Sequence, residues 1–158
     1  QYRADGFIPI SNIATWLVSF RTGIERNTVS PVRPDGSYDA RIAIPLSKQF
    51  ALGGPGSLRG FKYQELNVQN LAITGTLSYV NYRTQLDFPV EGGLLFGPFI
   101  DAANLLPDRY SFGQLRYGIG AGIHYQTPVG PVNFDWGFKV DPKPYEDPHQ
   151  FHFTIGIL

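Results

Sequence analysis

Apolar and polar positions alternate along most of this chain, most cleanly from Leu115 to Gln126. There Leu115, Tyr117, Ile119, Ala121, Ile123 and Tyr125 interleave with Arg116, Gly118, Gly120, Gly122, His124 and Gln126. Successive side chains leave a strand on opposite faces, so one face of this segment is apolar and the other is glycine or polar. The pattern recurs where Val132, Phe134, Trp136, Phe138 and Val140 oppose Asn133, Asp135, Gly137 and Lys139. It recurs in Phe151, Phe153, Ile155 and Ile157 against His152, Thr154 and Gly156. Near the start, Trp16, Val18, Phe20, Thr22 and Ile24 oppose Leu17, Ser19, Arg21, Gly23 and Glu25. Leu94, Phe96, Pro98, Ile100 and Ala102 oppose Leu95, Gly97, Phe99 and Asp101. Seven strands are predicted, over about 2–10, 13–26, 72–87, 93–103, 115–127, 132–140 and 150–158.

The facing decides what kind of sheet this is. Arg21, Glu25, Arg116 and Asp135 all fall on the polar face and need water there. The apolar face is then left for lipid, and Trp16, Ile119, Ile123, Phe134, Trp136 and Phe153 are expected to lie on it. Segments of about ten residues, apolar outward and polar or glycine inward, predict an all-β fold: a transmembrane antiparallel β-barrel with about 7–8 strands in view. Short links near 11–12, 88–91 and 128–131 alternate with long ones near 27–69, 104–114 and 141–150, as periplasmic turns alternate with extracellular loops. The alternating stretch around 37–46 reads as a hairpin arm of the longest loop, which preserves that parity; an eighth strand is the alternative.

Composition sharpens this picture. Of 158 residues only 16% are charged and 15% are aromatic, against roughly 25% charged in ordinary soluble domains. Eighteen glycines and 13 prolines disfavour long helices. Lys+Arg and Asp+Glu are both 13, so no net field recruits nucleic acid. Zero cysteines exclude disulfides and thiolate metal sites. His149 and His152 point to opposite faces of a strand, and Gly118-x-Gly120-x-Gly122 is not followed by a helix, so neither a metal nor a phosphate site is expected. Strand parity converges no Ser/His/Asp set or carboxylate pair, and no cofactor or enzymatic activity is expected.

The longest loop ends in Phe50-Ala51-Leu52-Gly53-Gly54-Pro55-Gly56-Ser57-Leu58-Arg59-Gly60-Phe61, a φ-permissive turn that presents one arginine. This stretch resembles the conserved Phe-x-x-Gly-Gly-x-x-Ser-(Val/Leu)-Arg-Gly-(Phe/Tyr) segment of the Omp85 superfamily. It matches at Phe50, Gly53, Gly54, Ser57, Leu58, Arg59, Gly60 and Phe61. Asn81-Tyr82-Arg83, the block from Gly97 to Ala103, the run from Gly118 to Pro131 and the ending from Phe151 to Gly156 are also similar to the family. The resemblance implies that this loop folds back into the lumen and that Arg59 reaches Asp101. It also implies that Asn81, which stands where relatives often carry glutamate, is a second lumen partner of the loop arginine. Leu158 stands where bacterial relatives usually end in an aromatic residue.

The resemblance implies a bacterial outer-membrane protein that inserts, assembles or translocates proteins without covalent chemistry. Its partners would be outer-membrane lipids and client outer-membrane or secreted proteins. A small structural or pore-forming barrel without a client is the alternative, and a soluble lipocalin-like carrier is disfavoured by the facing. Residues 1–158 read as a single barrel unit. An odd strand count would leave the two ends on opposite sides of the membrane, whereas single-chain bacterial barrels have even counts. The chain is therefore expected to be the C-terminal half of a roughly sixteen-stranded barrel. It would be completed by upstream strands and periplasmic domains, or by self-association.

Overall fold

The computed structural model describes residues 1–26, 34–35, 48–66, 76–107, 110–128 and 130–156. Within them lie seven strands: β1 (Tyr2–Ser11), β2 (Ala14–Arg26), β3 (Thr76–Pro89), β4 (Leu94–Pro107), β5 (Arg116–Thr127), β6 (Gly130–Lys139) and β7 (His149–Ile155). They form one sheet in the order β1-β2-β3-β4-β5-β6-β7, every neighbouring pair antiparallel. The all-β antiparallel wall read from the alternation is thus the fold. β3 is described from Thr76, with the expected start near 72 outside the described residues, and β4 runs four residues beyond its expected end near 103 because Leu105, Leu106 and Pro107 still pair with β3. The stretch around 37–46, with its choice between hairpin arm and eighth strand, lies outside the described residues.

Tight connections fall where the sequence has turn chemistry. Ser11 interrupts the β1–β2 register, and its hydroxyl accepts from the Ile13 amide at 3.2 Å. Gly92 and Gly93 take φ of +74° and +81° between β3 and β4, a region open to glycine at no steric cost.

The register fixes every side chain's face. One cross-strand row carries Trp136, Ala121 and Pro98, and another carries Phe134, Ile123 and Phe96. Trp16, Ile119, Ile123, Phe134, Trp136 and Phe153 all lie on this outer face and are exposed. A contiguous exposed apolar surface of this extent suits a lipid-embedded wall. Arg116, His124 and Asp135 lie on the opposite face, which curls around residues 52–66. Ile119→Arg is expected to cost about 2–4 kcal/mol if the site lies near the bilayer midplane. Cysteine at 119 or 123 should react with a membrane-partitioning maleimide and resist an impermeant one. Water accessibility at both positions would invert the register. Arginine at Gly120 carries its own penalty despite facing inward, because a Cβ there would lie 2.1 Å from the Trp136 carbonyl oxygen and 2.7 Å from the Phe99 ring.

Candidate functional site: the lumen loop and its arginine

Residues 52–66 form a closed loop. Leu52 and Leu66 exchange backbone hydrogen bonds of 2.9 and 2.8 Å across its base. At the tip, the Gly54 amide donates to the Leu58 and Phe61 carbonyls, and the Gly54 carbonyl accepts from the Ser57 and Leu58 amides. The Ser57 hydroxyl accepts from the Gly53 amide at 2.8 Å. Gly53, Gly54 and Gly60 have φ of +120°, +91° and +89°, so the three glycines supply the left-handed backbone that the turn requires. Leu58 and Phe61 are fully buried and pack with Leu52, Tyr79 and Ala103. The loop therefore carries its own small apolar core into the sheet.

Arg59 stands at the centre, 2% exposed. Its Nε and Nη2 donate to the two oxygens of Asp101, both at 2.8 Å, and its backbone amide donates to Asp101 Oδ2 at 3.0 Å. Nη1 donates to Gln85 Oε1 and, at 3.2 Å, to Asp135 Oδ1. The guanidinium carbon sits 3.5 Å from the centre of the Phe99 ring. A planar fork, two carboxylates and an aromatic face use arginine's geometry in a way lysine could not. Asp135 in turn lies 3.2 Å from His124 Nε2, and His124 Nδ1 lies 3.4 Å from Asp87. The arginine is thereby linked into a chain of polar groups running down the lumen.

Asn81 has a different place from the one the resemblance implied. Its amide donates to the Ser57 carbonyl at 2.8 Å and to the Ala102 carbonyl at 3.3 Å, so it holds the loop backbone rather than the guanidinium. The register gives the reason: Asp101 pairs with Arg83, while Asn81 pairs with Ala103, one inward position further along the strand. The loop touches six strands in succession. Arg21 on β2 and Arg83 on β3 both donate to the Gly56 carbonyl, at 2.8 and 3.3 Å. Asp101 on β4 takes Arg59, and the Gly60 amide donates to His152 Nε2 on β7 at 3.2 Å. On β5 and β6 the contact is steric. A Cβ on Gly118 would lie 1.9 Å from the Arg59 carbonyl oxygen, and one on Gly137 would lie 2.4 Å from the Gly60 nitrogen. The glycines of the inner wall are the bed on which the Arg59–Gly60 backbone rests. Gln85, Phe99, Gly137 and His152 were not singled out from the sequence as loop partners; inward parity was their one available signal.

A second polar cluster ties the loop to the segment between β6 and β7. Two cations approach the Phe61 ring, Arg116 and Lys139 at 5.0 and 4.9 Å from its centre. Lys139 Nζ donates to Glu65 at 2.6 Å, and Arg116 forks onto Glu146 at 3.1 and 2.6 Å. Glu146 also accepts from the Lys143 amide at 3.1 Å. The Arg116 hydrogen bonds, against the opposing cost of burial, hold the Glu146 carboxyl down to about 2. A carboxyl depressed in the folded state contributes stability above its ordinary value of roughly 4.3 and loses it as pH falls through the folded value. Pepsin cleavage within 141–148 should therefore rise between about pH 4 and pH 2. In Glu146→Gln that pH step should vanish, with the segment already loosened at the upper end. A step of equal size in the variant would refute the assignment.

Residues 1–157 match the family model described as the Omp85 superfamily domain. The chain belongs to the Omp85 superfamily. It is 24% identical to the outer membrane protein assembly factor BamA of Neisseria meningitidis serogroup B, covering 95% of this chain and 22% of that protein. It is also 24% identical to the BamA of Nitratidesulfovibrio vulgaris, covering 72% of this chain and 16% of that protein. The chain therefore spans about a fifth of the length of these curated relatives. Its fold is similar to the crystal structure of BamA from Haemophilus ducreyi lacking POTRA domains 1–3. That likeness has a TM-score of 0.63 at 19% identity and covers 97% of this chain and 33% of the other. The curved antiparallel wall is thus the wall of an Omp85 barrel.

Proposed function

We propose that this chain supplies barrel wall and lumen loop to a bacterial outer-membrane machine that assembles or inserts other outer-membrane proteins. The observation that carries the reading is the buried Arg59, forked onto Asp101 within a loop that spans β2 to β7. Such a device ties strands together and fills the lumen. It suits a wall that must stay defined while its surroundings are remodelled by a client, and it does not suit an open pore. The work is mechanical: a strand edge or a locally thinned bilayer is offered to a folding barrel. No covalent step is assigned to any residue. The family match and the BamA relatives support the class of client; translocation of secreted proteins is the neighbouring activity on the same scaffold.

The test is to place Arg59→Ala in the full-length protein as the sole copy in cells that depend on it. A reporter outer-membrane barrel should then fold severalfold more slowly, read by its heat-modifiable migration. The variant protein itself should remain in the outer membrane at near-normal level. Unchanged reporter folding would overturn the proposal.

A further inference from the structure

The outer face of the sheet is not uniformly apolar. Thr22, Val80 and Asn104 form one cross-strand row, point outward by register, and are each less than a tenth exposed. Residues 110–113 lie over this row. Asn104 Nδ2 donates to the carbonyls of Ser111 and Gly113 at 2.7 and 2.6 Å, and its Oδ1 accepts from the Val80 amide at 3.1 Å. The Tyr110 phenol meets the Thr22 hydroxyl at 2.8 Å, and its ring packs edge-on against Phe112 with centroids 5.0 Å apart. An amide that commits both donors and its acceptor to backbone groups holds the segment in one place. Residues 110–113 thus form a ledge on the outside of the wall, with Phe112 56% exposed.

The next row down carries Phe20, Tyr82 and Ala102. Here Ala4, Gly6 and Ala102 sit among the larger Trp16, Phe20 and Tyr82, and an apolar groove of about 570 Å³ opens between them. That is within the size range of ligand pockets. Of its polar lining residues, Asp5, Ser19 and Arg83 take inward positions in the register, and on the outward side Trp16 Nε1 donates to the Thr84 hydroxyl at 2.6 Å. The outward polar pair of the floor is thus already engaged. The ledge above does offer phenol, hydroxyl and aromatic surface, the groups that collect where apolar and polar layers meet. The Phe20–Tyr82–Ala102 row is the outward row next to the Thr22–Val80–Asn104 row that the ledge covers, so groove and ledge adjoin.

We propose that groove and ledge form a binding site for one membrane lipid, its acyl chain lying along Ala4, Gly6 and Ala102 and its head against Tyr110. The proposal rests on the outer-membrane reading above. The occupant follows from the position: the groove opens onto the exposed apolar band that includes Ile100, where the surrounding solvent is acyl chain. A flexible apolar chain fills a depression whose outward polar side chains, Trp16 and Thr84, are already paired, whereas a docking strand or helix would leave that match unused.

The full-length protein, delipidated in mild detergent and titrated with dioleoyl phosphatidylethanolamine, tests this by native mass spectrometry. The wild type should retain a single tightly held lipid. Ala102→Phe, which fills the groove, and Tyr110→Ala, which removes the ledge, should each lower its occupancy severalfold. Ile123→Ala, on a distant part of the outer face, should not. Variants are compared as folded protein, and Tyr110→Ala keeps the test open if Ala102→Phe does not fold. No retained lipid, equal occupancy in the groove variants, or groove-dependent retention of a protein chain instead would each overturn the proposal. Reporter folding measured on the same variants separates the two readings, since loss of the lipid site leaves the assembly reading standing.

Discussion

Alanine at Gly118 is expected to expel the lumen loop from the wall. Its Cβ would lie 1.9 Å from the Arg59 carbonyl oxygen and 3.1 Å from the Arg59 carbonyl carbon. At Gly137 the clash is with the Gly60 nitrogen and Cα, at 2.4 and 2.7 Å. Backbone meets backbone at both places, so no side chain can rotate away. Either the sheet or the loop must move, and the sheet is held by ladders on both sides of β5 and β6. The loop is the partner that yields. Overpacking of this kind costs about 1–3 kcal/mol per site, and the two contacts share one backbone segment, so the pair should not add simply. Hydrogen exchange read over residues 52–66 of the full-length protein should show the loss of protection, with the strand amides unchanged. Gly56→Ala is the control within the same loop, because a Cβ there meets nothing within 4 Å. Protection retained in Gly118→Ala would show that the inner-wall glycines do not seat the loop.

These glycines mark where the sequence could be read and where it could not. Alternation assigns each residue a face because side-chain period and pleat are both two, and so the outward position of Trp136 and the inward position of Gly137 were legible. What fills the space left by Gly137 was not, because Gly60, which rests on it, lies 77 residues away in the chain. Alternation within a strand says nothing about which residues of neighbouring strands share a level. The pairing of Asp101 with Gly118, and of Asp135 with His152, decides which inward groups surround Arg59, and it emerges only with the register. Asn81 shows the limit of resemblance: the family pattern placed it beside the loop arginine, but its level on β3 brings it to the Ser57 carbonyl. Thr22 shows the limit of periodicity. It occupies an outward position and is nevertheless covered, because Tyr110 arrives from a loop whose path the alternation does not encode.

Asp101 should prove the more costly half of its pair with Arg59. Removal of either partner breaks the fork, but the charges left behind differ. Without Arg59, the Asp101 carboxylate still has Arg83 Nε at 3.6 Å. Without Asp101, the buried Arg59 and the partly buried Arg83 both lose the carboxylate they share, and Arg59 retains Asp135 at 3.2 Å and Gln85 as its polar partners. An uncompensated buried charge costs about 3–5 kcal/mol, so Asp101→Ala should approach that range and Arg59→Ala should fall below it. The double variant should be less damaging than the sum of the singles, with a coupling of roughly 1–3 kcal/mol, because the second change removes the charge stranded by the first. Asp101→Asn should lie between, since it keeps an acceptor for the guanidinium and loses the charge. The readout is the opening free energy of residues 52–66 by hydrogen exchange in the full-length protein. The strand ladders, whose backbone hydrogen bonds do not use this side-chain pair, serve as the internal reference. Additive costs, or Arg59→Ala more damaging than Asp101→Ala, would mean that the loop is held by its apolar core of Leu58 and Phe61 and that the fork is incidental to docking.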